Sequence, residues 1–188
     1  MTDSLSFLRR AVGATADLIS HLGPDRWRAA TPCEEMDVAA LVAHLASGLE
    51  GFAQVPTTAD WATGPPQERP LDLDEAAAAY ERAGELLSTA WSAPGVVDRS
   101  YAMPWGETPG SALVEFMIIE QVVHGWDLQR ATGRSAGYDA ELVEHTLELA
   151  HRHDDPMIRV PGMFGPAVEI AADAPTFDRL AAFLGRHP

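Results

Sequence analysis

Residues 118–128 read IIEQVVHGWDL, an almost wholly apolar run that carries three polar side chains, Glu120, His124 and Asp127. At about 100° of rotation per helical residue, these three fall on one stripe of a helix. Apolar residues share that stripe and also cover the opposite side, among them Leu113, Phe116, Met117, Ile118, Ile119 and Val122. The pattern predicts a helix buried on most of its faces. A buried carboxylate is costly without a partner, so Glu120 needs a group that neutralises it.

Outward from this stretch, apolar residues recur at helical spacing in several further segments. They predict helices over 4–22, 38–53, 75–92, 110–132 and 139–153, an extended piece at 168–171 and a short last helix at 176–184. Asp37 is expected to cap the second helix, and Asp72 or Asp74 the third. Thr108 followed by Pro109 is typical of a helix start, and Gly133 of a helix end.

The predicted fold class is all-α, because four long helices joined by long loops favour a helical bundle with at least one crossover connection. Between the third and fourth helices, the Val-Val pair at 96–97 and Ser-Tyr-Ala at 100–102 are expected to pair as a short hairpin. The length of 188 residues favours one domain over 1–188, with residues 155–188 as a tail packed on the bundle.

The composition of the chain limits the classes of partner that it can bind. The formal net charge of −15 disfavours nucleic acid and anionic membrane surfaces, because like charges repel. No secretory signal or apolar run long enough for a membrane span is visible. A single cysteine, Cys33, cannot form an intramolecular bridge, which fits the cytoplasm. The oligomeric state stays open, with a homodimer as one option.

Glu120 and His124 stand four residues apart, so both side chains leave the helix on one face and can chelate one metal ion. The alternative is a Glu–His ion pair on a solvated helix; the apolar surroundings favour the metal. His44, beside the small residues Ala40, Gly48 and Gly51, is the candidate third ligand, with a core histidine bonded to a backbone carbonyl as its alternative. The other histidines are expected at the surface: His21, His145, His151, His153 and His187.

Two motifs together resemble a known family. TPCEEMDVAALVAHL, residues 31–45, is similar to its Thr-Pro-Cys motif followed by a histidine-bearing apolar helix, and EQVVHGWDLQRATG, residues 120–133, to its Glu-x-x-x-His-x-x-Asp-Leu helix. The ending FGPAVEIAADAPTFDRLAAFLGRHP resembles one actinobacterial branch. On these residues the chain is identified as a member of the mycothiol-dependent maleylpyruvate isomerase N-terminal domain family, within the DinB-like metal-binding four-helix bundles.

The resemblance implies a divalent metal, zinc first and Ni²⁺ or Fe²⁺ as alternatives, held by His44, Glu120 and His124. It also implies mycothiol as cosubstrate, together with an electrophilic small molecule. The isomerase of this family carries a separate C-terminal domain, whereas residues 155–188 form only a short tail here. The expectation is therefore a related metal-dependent thiol transferase or isomerase-like reaction rather than maleylpyruvate isomerisation itself.

Three protein ligands leave an open coordination position, the pattern of a catalytic zinc, which can favour a thiolate or a metal-bound hydroxide. A metal-water hydrolase, a non-haem iron site and a non-catalytic metal-binding protein are the alternatives. Asp127 is expected either to support His124 or to act as an acid or base, with a surface role as the alternative. Cys33 precedes two glutamates, which should raise its pKa, and is interpreted as structural. Three tryptophans are candidates to line a pocket or the core: Trp61, Trp105 and Trp126.

Overall fold

The computed structural model describes residues 4–58, 68–154, 159 and 163–188. These residues form six helices and one antiparallel hairpin, so the all-α fold class is confirmed. In chain order the elements are α1 (Ser4–Ser20), α2 (Val38–Thr58), α3 (Leu73–Trp91), β1 (Ser100–Met103), β2 (Gly106–Pro109), α4 (Gly110–Thr132), α5 (Ala140–Arg152) and α6 (Thr176–Phe183).

The four long helices α1 to α4 form the bundle. Helix α2 packs mainly on α3, α1 packs mainly on α4, and α1 with α3 and α2 with α4 complete the arrangement. Consecutive helices α1 and α2, and likewise α3 and α4, share no substantial contact. The segments 21–37 and 92–109 therefore each cross the bundle, so the predicted crossover occurs twice.

The helix caps follow the sequence signals in part. The Asp37 carboxylate accepts from the Ala40 backbone N–H at 2.8 Å, as expected of a cap. Asp72 caps α3, and the Glu75 side chain accepts from its backbone N–H at 3.2 Å. Thr108 is no cap, because it belongs to β2 and the first helical residue of α4 is Gly110.

Helix α2 runs past its predicted end at residue 53 and contains Pro56 in its last turn. Proline has no N–H, so it cannot donate to the carbonyl of Phe52 four residues earlier. The indole N–H of buried Trp91 donates to that carbonyl instead, at 2.9 Å. The Trp91 side chain of α3 therefore satisfies the Phe52 carbonyl that Pro56 leaves without a donor, and helix α2 continues to Thr58.

Helix α2 is also long and apolar enough to cross a membrane by length and composition alone. However, 67% of its most apolar window is buried inside the fold. Such burial is typical of a helix in the core of a bundle, because its apolar residues pack against neighbouring helices.

Helix α4 lies at the centre, and residues 117–119 and 121–128 are all buried. It ends at Gly133, which adopts the left-handed conformation with φ 70°. Gly125 allows the close approach of Tyr138, whose hydroxyl bonds Thr15 Oγ1 at 2.7 Å. A Cβ at Gly125 would collide with that hydroxyl and its ring.

We therefore expect Gly125→Ala to lower the free energy of unfolding by about 1–3 kcal/mol, through overpacking against Tyr138. Gly13→Ala is the matched control, because a Cβ at Gly13 meets nothing within 4 Å in a helix of the same bundle. That control should stabilise by about 0.5–1 kcal/mol, through the higher helix propensity of alanine. Chemical denaturation of both variants measures the difference; equal effects would contradict the packing argument.

The predicted hairpin forms with a different partner strand. Ser100 to Met103 pairs with Gly106 to Pro109, in the register Ser100 with Pro109 and Met103 with Gly106, and not with the Val-Val pair. Residues 104–105 close the turn, and Gly106 takes φ 123°, which other residues rarely adopt. Val96 lies in a turn, where its carbonyl accepts from the buried Tyr101 hydroxyl at 2.8 Å.

The tail brings its last residues back to α4. Helix α6 packs on α5 and α4, and it ends in a Schellman motif. In that motif the Arg186 N–H donates to the Ala181 carbonyl at 2.9 Å, and the Gly185 N–H donates to Ala182 at 3.0 Å. Gly185 has φ 87°, and its α-carbon lies against the backbone of Gly165. This turn directs the Arg186 side chain into the bundle. The predicted extended piece at 168–171 belongs to no strand, and the Val168 N–H donates to the Ala182 carbonyl at 2.9 Å.

Candidate metal centre

Helices α2 and α4 bring His44, Glu120 and His124 together. Each offers one ligand atom, and the three atoms all lie within 4.8 Å of one another. Glu120 Oε2 is 3.5 Å from His124 Nε2 and 3.7 Å from His44 Nε2. The two rings are 5.2 Å apart and nearly perpendicular, at 79°. Because Glu120 and His124 are one turn apart on α4, the facing ring of His44 supplies the third corner.

Carboxylates fix the orientation of both imidazole rings. His44 Nδ1 donates to Glu68 Oε1 at 2.7 Å, and His124 Nδ1 donates to Asp127 Oδ2 at 3.0 Å. A carboxylate only accepts hydrogen bonds, so each Nδ1 carries a hydrogen and each Nε2 is directed at Glu120. Metal-ligating histidines are commonly held in this way, with the second ring nitrogen bonded to a carboxylate.

The charges at the cluster compensate one another. Burial disfavours the protonated form of His44, but the carboxylates of Glu120 and Glu68 outweigh it and raise its pKa to about 9. Burial likewise opposes charge on His124, yet Asp127 and Glu120 raise its pKa. Burial also disfavours the Glu120 carboxylate, but the facing rings of His124 and His44 hold its pKa well below the ordinary value. The negative charge of Glu120 and the positive charges that the His44 and His124 rings can carry therefore stabilise one another.

Asp127 is fully buried and is held by Arg186 as well as by His124. Arg186 donates from Nη2 to Asp127 Oδ2 at 3.0 Å and from Nε to Oδ1 at 3.3 Å, and Nη1 donates to the Leu184 carbonyl at 3.1 Å. Burial opposes the charge of Asp127, but the bonds of His124 and Arg186 lower its pKa. Asp127 is therefore the link between the ring of His124 and the tail.

Cys33 lies beside this link, and its sulfur forms a second group of candidate ligands with His124 and Asp127. Two features make this group a poorer metal site. Both oxygens of Asp127 are already bonded, to Arg186 and His124. Burial raises the pKa of the Cys33 thiol, so the metal-binding thiolate is disfavoured. The direction of this shift agrees with the sequence interpretation, but burial rather than the following glutamates is its main cause.

A cavity of about 450 Å³ opens beside the cluster. Gly48 lines it, and a Cβ there would meet nothing within 4 Å, so the predicted space beside His44 exists. Gly51 is buried but does not line it. The cavity reaches Glu120, whose side chain is 20% exposed. Helix α4 is buried on most of its faces, as predicted, but the small residue Gly48 of α2 leaves the Glu120 carboxylate open to the cavity.

The tryptophans and one of the histidines singled out in the sequence lie in different surroundings. Trp105 lines the cavity, whereas Trp126 is buried and donates to Asp178 at 2.9 Å. Trp61 lies outside the described residues. His145 is half-buried rather than at the surface, stacked on the ring of Phe7 with centroids 4.0 Å apart.

Two residues of the site carry no local sequence signal. Glu68 lies in a proline-rich segment 24 positions from His44, and Arg186 lies 59 positions from Asp127. The one available hint is the glycine before Arg186, since glycine after a helix is typical of a Schellman turn.

Two groups of known proteins resemble the chain in sequence or structure. Two uncharacterized proteins from strains of Mycobacterium tuberculosis are each 33% identical over 185 residues, covering 98% of this chain and 98% of theirs. A crystal structure of mycothiol-dependent maleylpyruvate isomerase superposes with a TM-score of 0.61 at 18% identity, over 79% of this chain and 66% of that chain. A mutant of that enzyme superposes with a TM-score of 0.60 at 17% identity. At such identities the structures show the shared fold.

The family model described as Mycothiol maleylpyruvate isomerase N-terminal domain matches residues 8–129. The match includes α2 and nearly all of α4, and so all three residues of the cluster. The chain belongs to the mycothiol maleylpyruvate isomerase N-terminal domain family.

Proposed function

We propose that His44, Glu120 and His124 hold one divalent metal ion, zinc first and nickel or iron(II) as alternatives. The observation that carries this proposal is the convergence of one carboxylate oxygen and two Nε2 atoms, with both Nδ1 atoms bonded to carboxylates. Neutral imidazoles and a carboxylate are the donor set of many catalytic zinc sites. The cation takes over the neutralisation of Glu120 from the ring protons.

We further propose that the site serves a cytoplasmic enzyme of isomerase or S-transferase type, which adds mycothiol to an electrophilic small molecule. The family membership supports the thiol, and the cavity beside Gly48 supports access for two small molecules. When bound, the ion supplies positive charge that favours the thiolate form of a thiol near neutral pH. Glu120 and the two histidines would bind the ion from α2 and α4, and the thiol would approach the ion from the cavity.

The residues around the cluster have separate roles in this proposal. Asp127 keeps the His124 ring in the orientation that presents Nε2, and Glu68 does the same for His44. Apolar side chains of α2 and α4 limit the water near the reacting atoms. Cys33 is held as a neutral thiol by burial, so it does not compete with the cosubstrate as nucleophile.

The ligand assignment predicts that His44→Ala and His124→Ala each weaken metal binding by more than about 100-fold, beyond what loss of a supporting partner costs. His21→Ala is the matched control, because that ring lies at the end of α1 and is exposed. Elemental analysis after dialysis should find one ion per chain in the wild type and the control. Full metal content in either ligand variant would remove that histidine from the site.

The thiol assignment is tested on cobalt-substituted protein titrated with mycothiol. A sulfur-to-cobalt charge-transfer band should grow with thiol concentration, because the thiol must reach the ion as a thiolate. A protein that holds cobalt but shows no band would refute the thiol reaction. Hydrolysis by a metal-bound water would then be the reaction to screen, and a negative screen would favour a metal-binding protein without catalysis.

A further inference from the structure

The cavity beside the metal cluster has walls that are mainly apolar. Helices α2 and α4 supply two of these walls, and the hairpin turn supplies a third. Two of its apolar side chains are exposed at the mouth, Trp105 at 47% and Met163 at 39%. The other apolar residues that line it are Pro32, Met36, Leu45, Leu49, Phe52, Pro104, Phe116 and Met117. A cavity of this kind stabilises a ligand by removing apolar surface from water.

Outside the cluster of His44, Glu120 and His124, the described residues in the walls of the same cavity offer no cation that is free to bind an anionic ligand. The chain has no lysine, and all thirteen arginines lie within the described residues. Among them Arg186 alone lines the cavity, and it is 7% exposed and bonded to both oxygens of Asp127. Glu34 and Glu35, both exposed, line the cavity as well, and Glu120 lies at its floor.

We propose that this cavity selects uncharged electrophiles with an apolar body and rejects those that carry a carboxylate. The inference rests on the function proposed above and adds the class of its second substrate. A carboxylate that enters the cavity loses water and gains no arginine or lysine, so its desolvation is uncompensated by the walls. The proposed ion would be the one further cation of the site, and its charge would be compensated by the carboxylate of Glu120 and by the thiolate of the cosubstrate.

Desolvation contributes more to this selectivity than repulsion by the glutamates. Glu34 and Glu35 are exposed, so water and salt screen their charges. We therefore expect the preference for uncharged ligands to persist at high salt. Substituting both glutamates by glutamine should reduce the preference only slightly, whereas a new cation at the mouth should reduce it strongly.

A pair of unreactive probes of equal shape tests the selectivity: naphthalene-2-carboxamide and naphthalene-2-carboxylate. Both are titrated calorimetrically into the zinc-loaded protein in the presence of excess mycothiol, so that the carboxylate does not bind at an open position of the ion. We expect the amide to bind at least about ten times more tightly, because only the carboxylate is charged and must be desolvated. Equal binding, tighter binding of the carboxylate, or no binding of either probe would overturn the proposal.

Two variants that add the same charge at different places sharpen the test. Met163→Lys places an ammonium at the mouth of the cavity and should raise carboxylate affinity about tenfold, with little change for the amide. Leu86→Lys adds that charge on α3, where the leucine is 56% exposed and does not line the cavity, and should change neither affinity. Equal effects of the two lysines would show that net charge rather than the cavity controls binding, and would refute the proposal.

The probes keep this inference separate from the proposed function. Tighter amide binding in a protein that shows no thiol charge-transfer band supports the selectivity and refutes the thiol reaction. Mycothiol addition that is faster for a carboxylated electrophile than for its uncharged amide, after correction for the uncatalysed rates, supports the reaction and refutes the selectivity.

Discussion

Replacing Arg186 by methionine is expected to lower the free energy of unfolding by about 3–5 kcal/mol, because it leaves the buried carboxylate of Asp127 without its cation. Asp127 is fully buried and Arg186 is 7% exposed, so water cannot replace the lost bonds at low cost. Arg28→Met is the matched control. Arg28 pairs with Asp37 at 3.3 Å on the surface, and its loss should cost at most about 1 kcal/mol. Chemical denaturation of both variants measures the difference.

A double variant separates the charge of Asp127 from the packing of Arg186. Asp127→Asn combined with Arg186→Met removes the unpaired charge while the amide oxygen can still accept from His124, so about half of the lost stability should return. If the double variant is as unstable as Arg186→Met alone, the loss comes from packing in the tail, and the ion pair contributes little.

Removal of the metal is expected to have a comparable effect on the wild type. With free zinc at about 100–1,000 times its dissociation constant, chelation should cost about 3–4 kcal/mol and lower the midpoint of thermal unfolding. For a chain of this length the shift should be about 5–15 °C. The apo-protein should stay folded, because its apolar core spans all four bundle helices and does not depend on the cluster.

His124→Ala supplies the control for this measurement, since a variant that holds no metal should unfold at the same temperature with and without chelator. Metal loss from the wild type must be verified by elemental analysis. Unchanged midpoints in a wild type that has lost its ion would contradict coupling between the metal and the fold.

The fold is largely predictable from the sequence because its helices carry local signals. The apolar spacing and Gly133 predict the bounds of α4, and Asp37 predicts the start of α2. The end of α2 is not predictable in this way, because the helix continues through Pro56 only when Trp91, 39 residues from Phe52, supplies a hydrogen bond. The predicted partner strand of the hairpin is wrong for a related reason. Valine has a high strand propensity, but tertiary contacts place Val96 in a turn.

The candidate site is likewise predictable only in part from the sequence. His44, Glu120 and His124 stand out in the sequence because each interrupts an apolar face, and the ion that they are proposed to bind stays a prediction. Glu68 and Arg186 escape sequence analysis because charged residues are common in loops and tails. Only the packing of α6 on α4 shows that Arg186 is buried.

The two segments that cross the bundle, 21–37 and 92–109, can vary in sequence at a lower cost in stability than the helices that carry the ligand candidates. Both crossing segments contribute residues that line the cavity, one with Pro32 to Met36 and the other with Pro104 and Trp105. The ligand candidates sit instead on α2 and α4, where a change disturbs the core. Substitutions in the crossings can therefore retune which molecules enter while the reacting groups keep their places. A lineage with this architecture can acquire new substrates by drift in two loops, and its members can share chemistry long after their substrates have diverged.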